Sequence, residues 1–526
     1  MGTFSQEQDI FEALKASLYT NNRELRAQEL LQRAYQSYPD HTALVTAHKT
    51  LTYKELYFRS LLVGQYLAKS GIKAGDTVLL YYENSIEFYC AYFAIWQLGC
   101  ICAPLNIFLH TRELAHIMVD SDAKAIIVSP TLLTNIEQLL AQHPACRLPL
   151  IIDTQAFDWQ TPVPTAPLDQ ALQVPAIPLE GCEEVCLLLY TSGTTGKPKG
   201  VMLSSHNIIN NTLQGYARFK VGGMQEHERF LCVLPLFHVF AQNACIWLAI
   251  ITGSAVIIVP KIDRKLMLDG LKQKPTLFFG FPALYGLLCL MKTAPLDTIK
   301  MFVSGADMLP DKIRAGFAII YGRKICSGYG LTEASPVISF NYDNQEQATH
   351  VVGKPLVGIS IQIRDQDGHT LPTNTVGILW VSGDNIMKGY HGDPESTAQV
   401  LQDGWLNTGD LASIDDQGIL AIRGRMKDII IHKGFNIYPA EVENVLMMHP
   451  SVTKAAVIGK AEDAHGQVPV AYVAVKAHDP MLEESLRNLC QHNLAAYKIP
   501  RTFICMEDLP LNATGKVDKK KLSQVS

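Results

Sequence analysis

Residues 190 to 200 run Tyr190-Thr191-Ser192-Gly193-Thr194-Thr195-Gly196-Lys197-Pro198-Lys199-Gly200, which places four Ser/Thr hydroxyls, three glycines and two lysines in eleven residues. This is the donor set of an anion cradle. Glycines let the backbone approach a ligand with no Cβ in the way, successive N–H groups in such a turn enclose an anion, and hydroxyl and ammonium groups add donors. The Walker pattern is not met, because only two residues separate Gly193 from Gly196 and Pro198 follows the lysine. The loop is therefore a phosphate loop of another kind. The apolar run 185–189 before it reads as a buried strand feeding the loop.

Outward from this loop, strands and helices alternate. Strands are expected at 77–81, 101–104 and 125–128, with helices at about 85–98 and 111–119. Thr52 followed by Glu55 has the spacing of a capping box and opens a helix through Leu67. Beyond the loop come a helix at 207–216 and strands at 230–234, 276–280 and 300–305. Such alternation is the pattern of parallel sheets with crossover helices. Between 351 and 389 the signals change to short strands and turns, a small β-subdomain. From 425 onward, strands at 429–431, 453–458, 468–475 and 501–506 mix with helices at 440–447 and 482–494, a unit large enough to fold alone. The expected fold class is α/β and α+β: a large N-terminal body of mostly parallel sheets with flanking helices over 1–424, then a small α+β domain over 425–526. The proline-rich stretch 155–178 reads as a surface connection, and residues 1–40 as helices of no readable role.

Composition excludes some classes. A net charge of −5 carries no nucleic-acid footprint. The twelve cysteines contain no C-x-x-C pair and sit mostly in apolar runs, as buried free thiols of a reducing, cytoplasmic compartment do. The N-terminus has no secretory pattern and fits the myristoylation pattern poorly. Residues 230–260 lack Asp, Glu, Lys and Arg, yet Pro235, His238, Gln242, Asn243 and Gly253-Ser254 interrupt them. They read as a short strand, a loop, an apolar helix at 243–251 and a buried strand at 255–259, not as a membrane span.

Three more segments carry chemistry: Ser327-Gly328-Tyr329-Gly330-Leu331-Thr332-Glu333, Trp405-Leu406-Asn407-Thr408-Gly409-Asp410 with Arg425-Met426-Lys427-Asp428 behind it, and Leu509-Pro510-Leu511-Asn512-Ala513-Thr514-Gly515-Lys516. With the phosphate loop, these resemble the adenylate-forming (AMP-binding) superfamily in its medium- or long-chain fatty acid:CoA ligase type, from about Leu51 to Lys516. The resemblance implies ATP, Mg²⁺ and CoA as cofactors and co-substrates. It assigns the cradle to Thr191, Ser192, Gly193, Thr194, Thr195, Gly196, Lys197 and Lys199. Tyr329, between Gly328 and Gly330, stacks on adenine; Thr332 contacts the α-phosphate and Glu333 holds the metal. Asp410 accepts from both ribose hydroxyls, as an acceptor with two free oxygens can. Arg425 reaches the ribose and α-phosphate, Lys427 is the hinge of a mobile C-terminal domain, and Lys516 is catalytic.

For the acid, the same resemblance points to Leu234-Pro235-Leu236-Phe237-His238-Val239-Phe240, with His238 beside the reacting carboxylate, and to walls at Gly280-Phe281-Pro282-Ala283 and Gly305-Ala306-Asp307, the latter beside adenine. These walls are mostly apolar or small and show no cationic or amino-group anchor, which favours a fatty acid over an amino acid. Lys433-Gly434 is similar to the loop lining the pantetheine tunnel, and Gly434 lets the thiol arm pass closely. The chain departs from the pattern at Ile378, where Glu is common, and at Asp307, where a small residue is frequent. Rival readings are an acyl-adenylate ligase that loads a carrier protein, an aryl-acid:CoA ligase, and a membrane lipid-uptake protein with regulatory nucleotide sites. No basic amphipathic helix is readable to support a weak membrane association for substrate pickup, and a homodimer is left open.

Overall fold

The computed structural model describes residues 2–18, 24–143, 150–153, 185–192, 197–342, 350–432, 435–462, 466–475, 481–511 and 516–524. The expected connection at 155–178 lies outside them. Two large sheets carry the body. In the fourteen-stranded sheet, Thr42–Val45, Ala255–Ile258, Arg229–Cys232, Leu277–Gly280, Met301–Ser304 and Cys326–Gly330 run parallel. From there the sheet continues antiparallel through Val337–Phe340, Val351–Pro355, Leu420–Arg425, Trp405–Ile414, Gly377–Ser382 and Ser360–Arg364. The β-rich segment expected to close the body is thus hydrogen-bonded into its sheet. Pairing with Val337–Phe340 gives Cys326–Gly330 a second neighbour, which leaves no exposed edge at that point.

The seven-stranded sheet orders Gly389–Tyr390, Pro198–Leu203, Leu187–Ser192, Ile101–Pro104, Thr77–Tyr81, Ala125–Val128 and Leu150–Asp153. The phosphate-loop hairpin therefore supplies two of its seven strands. Helices Tyr53–Lys69, Ile86–Gln97 and Ser205–Val221 share the main core with both sheets. Ile86–Gln97 is buried on nearly every side, which explains why its sequence is apolar all round and not striped. Thr52 accepts from the Glu55 N–H and Glu55 returns the bond, the expected capping box. Ser204 and Asn207 do the same for Ser205–Val221, which starts earlier and runs further than its apolar periodicity alone indicates.

The uncharged stretch 230–260 is strand, helix and strand as expected, but its helical part starts at Val239 and contains a π-helical turn, Asn243–Trp247. In that turn the Asn243 side-chain amide donates to Asn211 Oδ1 at 3.3 Å and to the Ser335 carbonyl at 3.4 Å. Among the described residues, no helix is long and apolar enough to cross a membrane. Seven of the ten described cysteines are buried, and all ten are free.

Helix Gly2–Leu18, whose role was unreadable, packs against Ser205–Val221 through a buried ion pair. Glu7 Oε2 accepts from Arg218 Nε at 2.5 Å, and the Arg218 guanidinium also donates to the Phe340 and Pro355 carbonyls. The third sheet has five strands: Phe435–Ile437, Ile430–His432, Gly466–Val475 and Val452–Glu462, with Thr502–Met506 beside Gly466–Val475. Helices Pro439–Met447 and Leu482–Asn493 close a core that is separate from the body's.

Candidate active site

Strands Leu277–Gly280 and Met301–Ser304 end level with Ser327, and Cys326–Gly330 runs on past them, at the edge where open α/β sheets bind ligands. Tyr329 stands there and donates its hydroxyl hydrogen to Asp410 Oδ2 at 2.5 Å, while Arg425 Nε lies 3.1 Å from Asp410 Oδ1. A bulge aims Asp410. Leu411 faces Ile378 and Asn407 faces Trp380, so two extra residues are pushed out of the Trp405–Ile414 strand. Thr408 Oγ1 donates to the Leu379 carbonyl and accepts from the Asp410 N–H, and Gly409 takes a left-handed φ of 69°. Burial pushes the Asp410 carboxyl above its ordinary range against the pull of Arg425, and Asp410 in turn holds the guanidinium charged.

Glu333 lies in the short turn Thr332–Ala334. The chain doubles back so tightly that a Cβ at Gly330 would sit 2.0 Å from the Pro336 carbonyl oxygen, which only glycine permits. Tyr390 donates its hydroxyl hydrogen to Glu333 Oε1 at 3.0 Å. Burial raises the Glu333 carboxyl, while Arg425 and Asp410 act on it with opposite signs, so the two clusters belong to one site. A half-buried carboxylate of this kind fits Mg²⁺, which takes one or two carboxylates and keeps several waters.

Thr191 faces Lys199 and Ser192 faces Pro198 across the phosphate-loop hairpin. Gly193, Thr194, Thr195 and Gly196, and the Ser192 side chain, lie outside the described residues. Lys197 is exposed. Lys199 is turned onto the segment after Gly389–Tyr390: its ammonium donates to Ser396 Oγ, lies 3.5 Å from Asp393 and stands 5.1 Å from the centre of the Tyr390 ring.

On the acid side, Asn84 fixes the loop before His238, donating to the Leu234 carbonyl at 2.9 Å and accepting from the Leu236 N–H at 2.8 Å. The Phe240 ring then lies against Gly305, where a Cβ would stand 3.2 Å from it, and meets Phe279 edge to face at 6.3 Å. Ala306 has a left-handed φ of 68°, and Asp307 binds locally, its Oδ1 accepting from the Met308 N–H at 2.8 Å. Burial and the charge of Lys516 together lower the His238 pKa to about 4. Lys516 also acts on Asp410. The structure thus brings the end of the C-terminal segment to the body's site, 278 residues from His238 in sequence.

Contacts between the two parts accompany that placement. Lys312 donates to the carbonyls of His449, Pro450 and Val452 at 3.1, 3.3 and 3.2 Å, and Asn444 Nδ2 lies 3.5 Å from Met308 Sδ. Ile429 and Tyr438 pack on Ile378, Trp380 and Leu411, so the position where Glu is common serves here as apolar contact. Lys427 lies in the turn Met426–Asp428, while Lys433 and Gly434 lie outside the described residues.

Sequence reasoning missed Asn84, Asn211 and Tyr390. Asn211 clamps Val337 through both its N–H and carbonyl. The Asn207-x-x-Asn210-Asn211 spacing in helix Ser205–Val221 was a signal for it. Tyr390 gave none, since its partner is 57 residues away.

Residues 31–391 match the AMP-binding enzyme family, and residues 441–516 match the AMP-binding enzyme C-terminal domain. The chain belongs to the AMP-binding enzymes, the adenylate-forming superfamily, and is of the acyl-CoA synthetase type. It is 32% identical to a feruloyl-CoA synthase of Amycolatopsis sp, over 93% of this chain and 96% of that protein. It is 31% identical to the long-chain-fatty-acid--CoA ligase of Bacillus subtilis (strain 168), over 94% and 93%. The crystal structure of the anthranilate CoA ligase AuaEII in complex with anthranoyl-AMP superposes with a TM-score of 0.86 at 26% identity, covering 96% of this chain and 97% of that one.

Proposed function

We propose that the chain is a fatty acid:CoA ligase that activates a medium- or long-chain acid with ATP and passes the acyl group to CoA. The observation that carries this reading is the cluster at the strand ends, where Tyr329 donates to Asp410 Oδ2 at 2.5 Å and Arg425 Nε lies 3.1 Å from Asp410 Oδ1. In the first step a carboxylate oxygen of the acid attacks the α-phosphorus of ATP, the bond to pyrophosphate breaks, and acyl-AMP forms. Two anions meet while charge grows on the α-phosphate, and an ammonium placed between them stabilises that charge. Tyr329 offers its ring face to adenine, and Asp410 and Arg425 take the ribose. Thr332 and the loop from Thr191 to Lys199 take the phosphates. Mg²⁺ held by Glu333 would neutralise charge on the phosphate oxygens. His238, uncharged near pH 7, lines the acid's carboxyl without competing with Lys516.

In the second step the CoA sulfur attacks the acyl carbonyl and AMP leaves. Residues 425–526 rotate about Lys427 between the steps, withdrawing Lys516 and presenting Lys433 and Gly434. Phe240, Phe279 and Gly305 make an uncharged wall, which supports a fatty acid, as does the likeness to the Bacillus subtilis ligase. The likeness to feruloyl-CoA synthase favours a second reading, an aryl acid. ATP-dependent pyrophosphate release across acids from acetate to oleate, with ferulate and anthranilate added and with and without CoA, separates them. Release that needs a fatty acid, with acyl-CoA accumulating, is expected. Release with aryl acids alone transfers the function to the second reading, and acyl-AMP that never acylates CoA points to a carrier-protein acceptor.

A further inference from the structure

Tyr390 belongs to none of the segments that carry the proposed chemistry, yet it is bonded to the carboxylate assigned to the metal. Its neighbours fix it from three sides. Its backbone pairs with Val201, directly behind the phosphate-loop hairpin, and the His391 N–H donates to the Gly200 carbonyl at 2.7 Å. Its own N–H donates to Thr397 Oγ1 at 2.9 Å. The Lys199 ammonium, held by Ser396 and Asp393, covers its ring. The hydroxyl then reaches Glu333 Oε1. Glu333's own backbone is tied to the same segment, since the Met387 N–H donates to the Glu333 carbonyl at 2.9 Å and Asn385 Nδ2 donates to the Ala334 carbonyl at 2.9 Å.

We propose that Tyr390 is a positioning residue for the metal site: it holds the Glu333 carboxylate in the orientation that accepts Mg²⁺, and Lys199 ties that orientation to the phosphate loop. The inference rests on the reading that Glu333 holds the metal. A glutamate left free samples several rotamers, and a hydrogen bond from a rigid neighbour selects one before the metal arrives. Such outer partners typically govern about 10- to 100-fold in metal affinity. Lys199 acts on Tyr390 through the ring and its anchors.

The test measures ATP affinity of the full-length protein by calorimetry, once with excess Mg²⁺ and once with EDTA, in the absence of acid and CoA. Tyr390→Phe should weaken the Mg²⁺ arm by about 10-fold and leave the EDTA arm and the melting temperature without nucleotide unchanged. Glu333→Gln should weaken the Mg²⁺ arm further, and Tyr390→Phe should add nothing to it in the double variant. If Glu333→Gln weakens the Mg²⁺ arm while Tyr390→Phe does not, the positioning role is overturned. Equal loss in both arms for Tyr390→Phe overturns it as well, because that is the mark of a merely structural residue. If Glu333→Gln leaves the Mg²⁺ arm intact, the metal assignment itself has failed. Should Tyr390→Phe not fold, Ser396→Ala carries the same test with an expected loss of about 3-fold, a fraction of the full effect, and no change there overturns the inference.

Discussion

Lys516 and His238 come from the two parts of the chain, and each makes a prediction at the scale of one side chain. Lys516→Ala should slow acyl-AMP formation by about 10²–10³-fold, the usual effect of removing one preorganised charge from a transition state. Thioester formation from supplied acyl-AMP should change little, since the proposed second step does not use that ammonium; rapid-quench measurement of the two half-reactions checks both. His238 predicts a pH effect on stability. Its pKa falls from 6.5 to about 4 in the folded chain, so between those values the unfolded state binds the extra proton and the folded state does not. Stability should therefore fall as pH drops from about 6.5 towards about 4 and stop responding to this group below that. Urea midpoints of the wild type and His238→Asn across this range should converge as pH falls, and parallel curves would remove His238 as the cause.

At the scale of an element, helix Gly2–Leu18 is held by a pair of opposite charges that water does not reach. Glu7→Gln leaves the Arg218 guanidinium buried with its carboxylate partner gone, and breaking such a pair costs about 3–5 kcal/mol. Thr52→Ala removes only a helix cap, worth about 1 kcal/mol. Chemical denaturation should rank Glu7→Gln as clearly the more damaging, and the reverse order would mean that the N-terminal helix contributes little to the body. The cap was legible in sequence because both partners lie three residues apart. The ion pair was not, because Glu7 and Arg218 are 211 residues apart and each alone looks like a solvated charge.

For the whole molecule, the proposed cycle needs residues 425–526 to leave the position in which Lys516 faces the site. Met308 and Asn444 touch across the two parts in that position. A Met308→Cys, Asn444→Cys variant, joined by a short thiol crosslinker in a Cys505→Ser background, should still release one equivalent of pyrophosphate and retain acyl-AMP. It should make acyl-CoA only after the link is cleaved. Unimpaired acyl-CoA production by the linked protein would rule out the rotation about Lys427.

Sequence alone determined the family, through its motifs, and the capping box at Thr52, whose two partners lie three residues apart; the roles of Tyr329, Glu333, Asp410, Arg425 and Lys516 are proposed from that family resemblance. Strand positions in both halves were also legible, since buried strands are short apolar runs between turn signals. What only the tertiary structure decided is how those runs pair: the β-rich segment extends the parallel sheet instead of standing apart, and Gly389–Tyr390 joins the phosphate-loop strand. Pairing of that kind depends on backbone hydrogen bonds between distant segments, which leave no trace in local composition. The orientation of Glu333 by Tyr390 and the turning of Lys199 onto Asp393 and Ser396 follow from that pairing, so they too became visible only when the chain was folded.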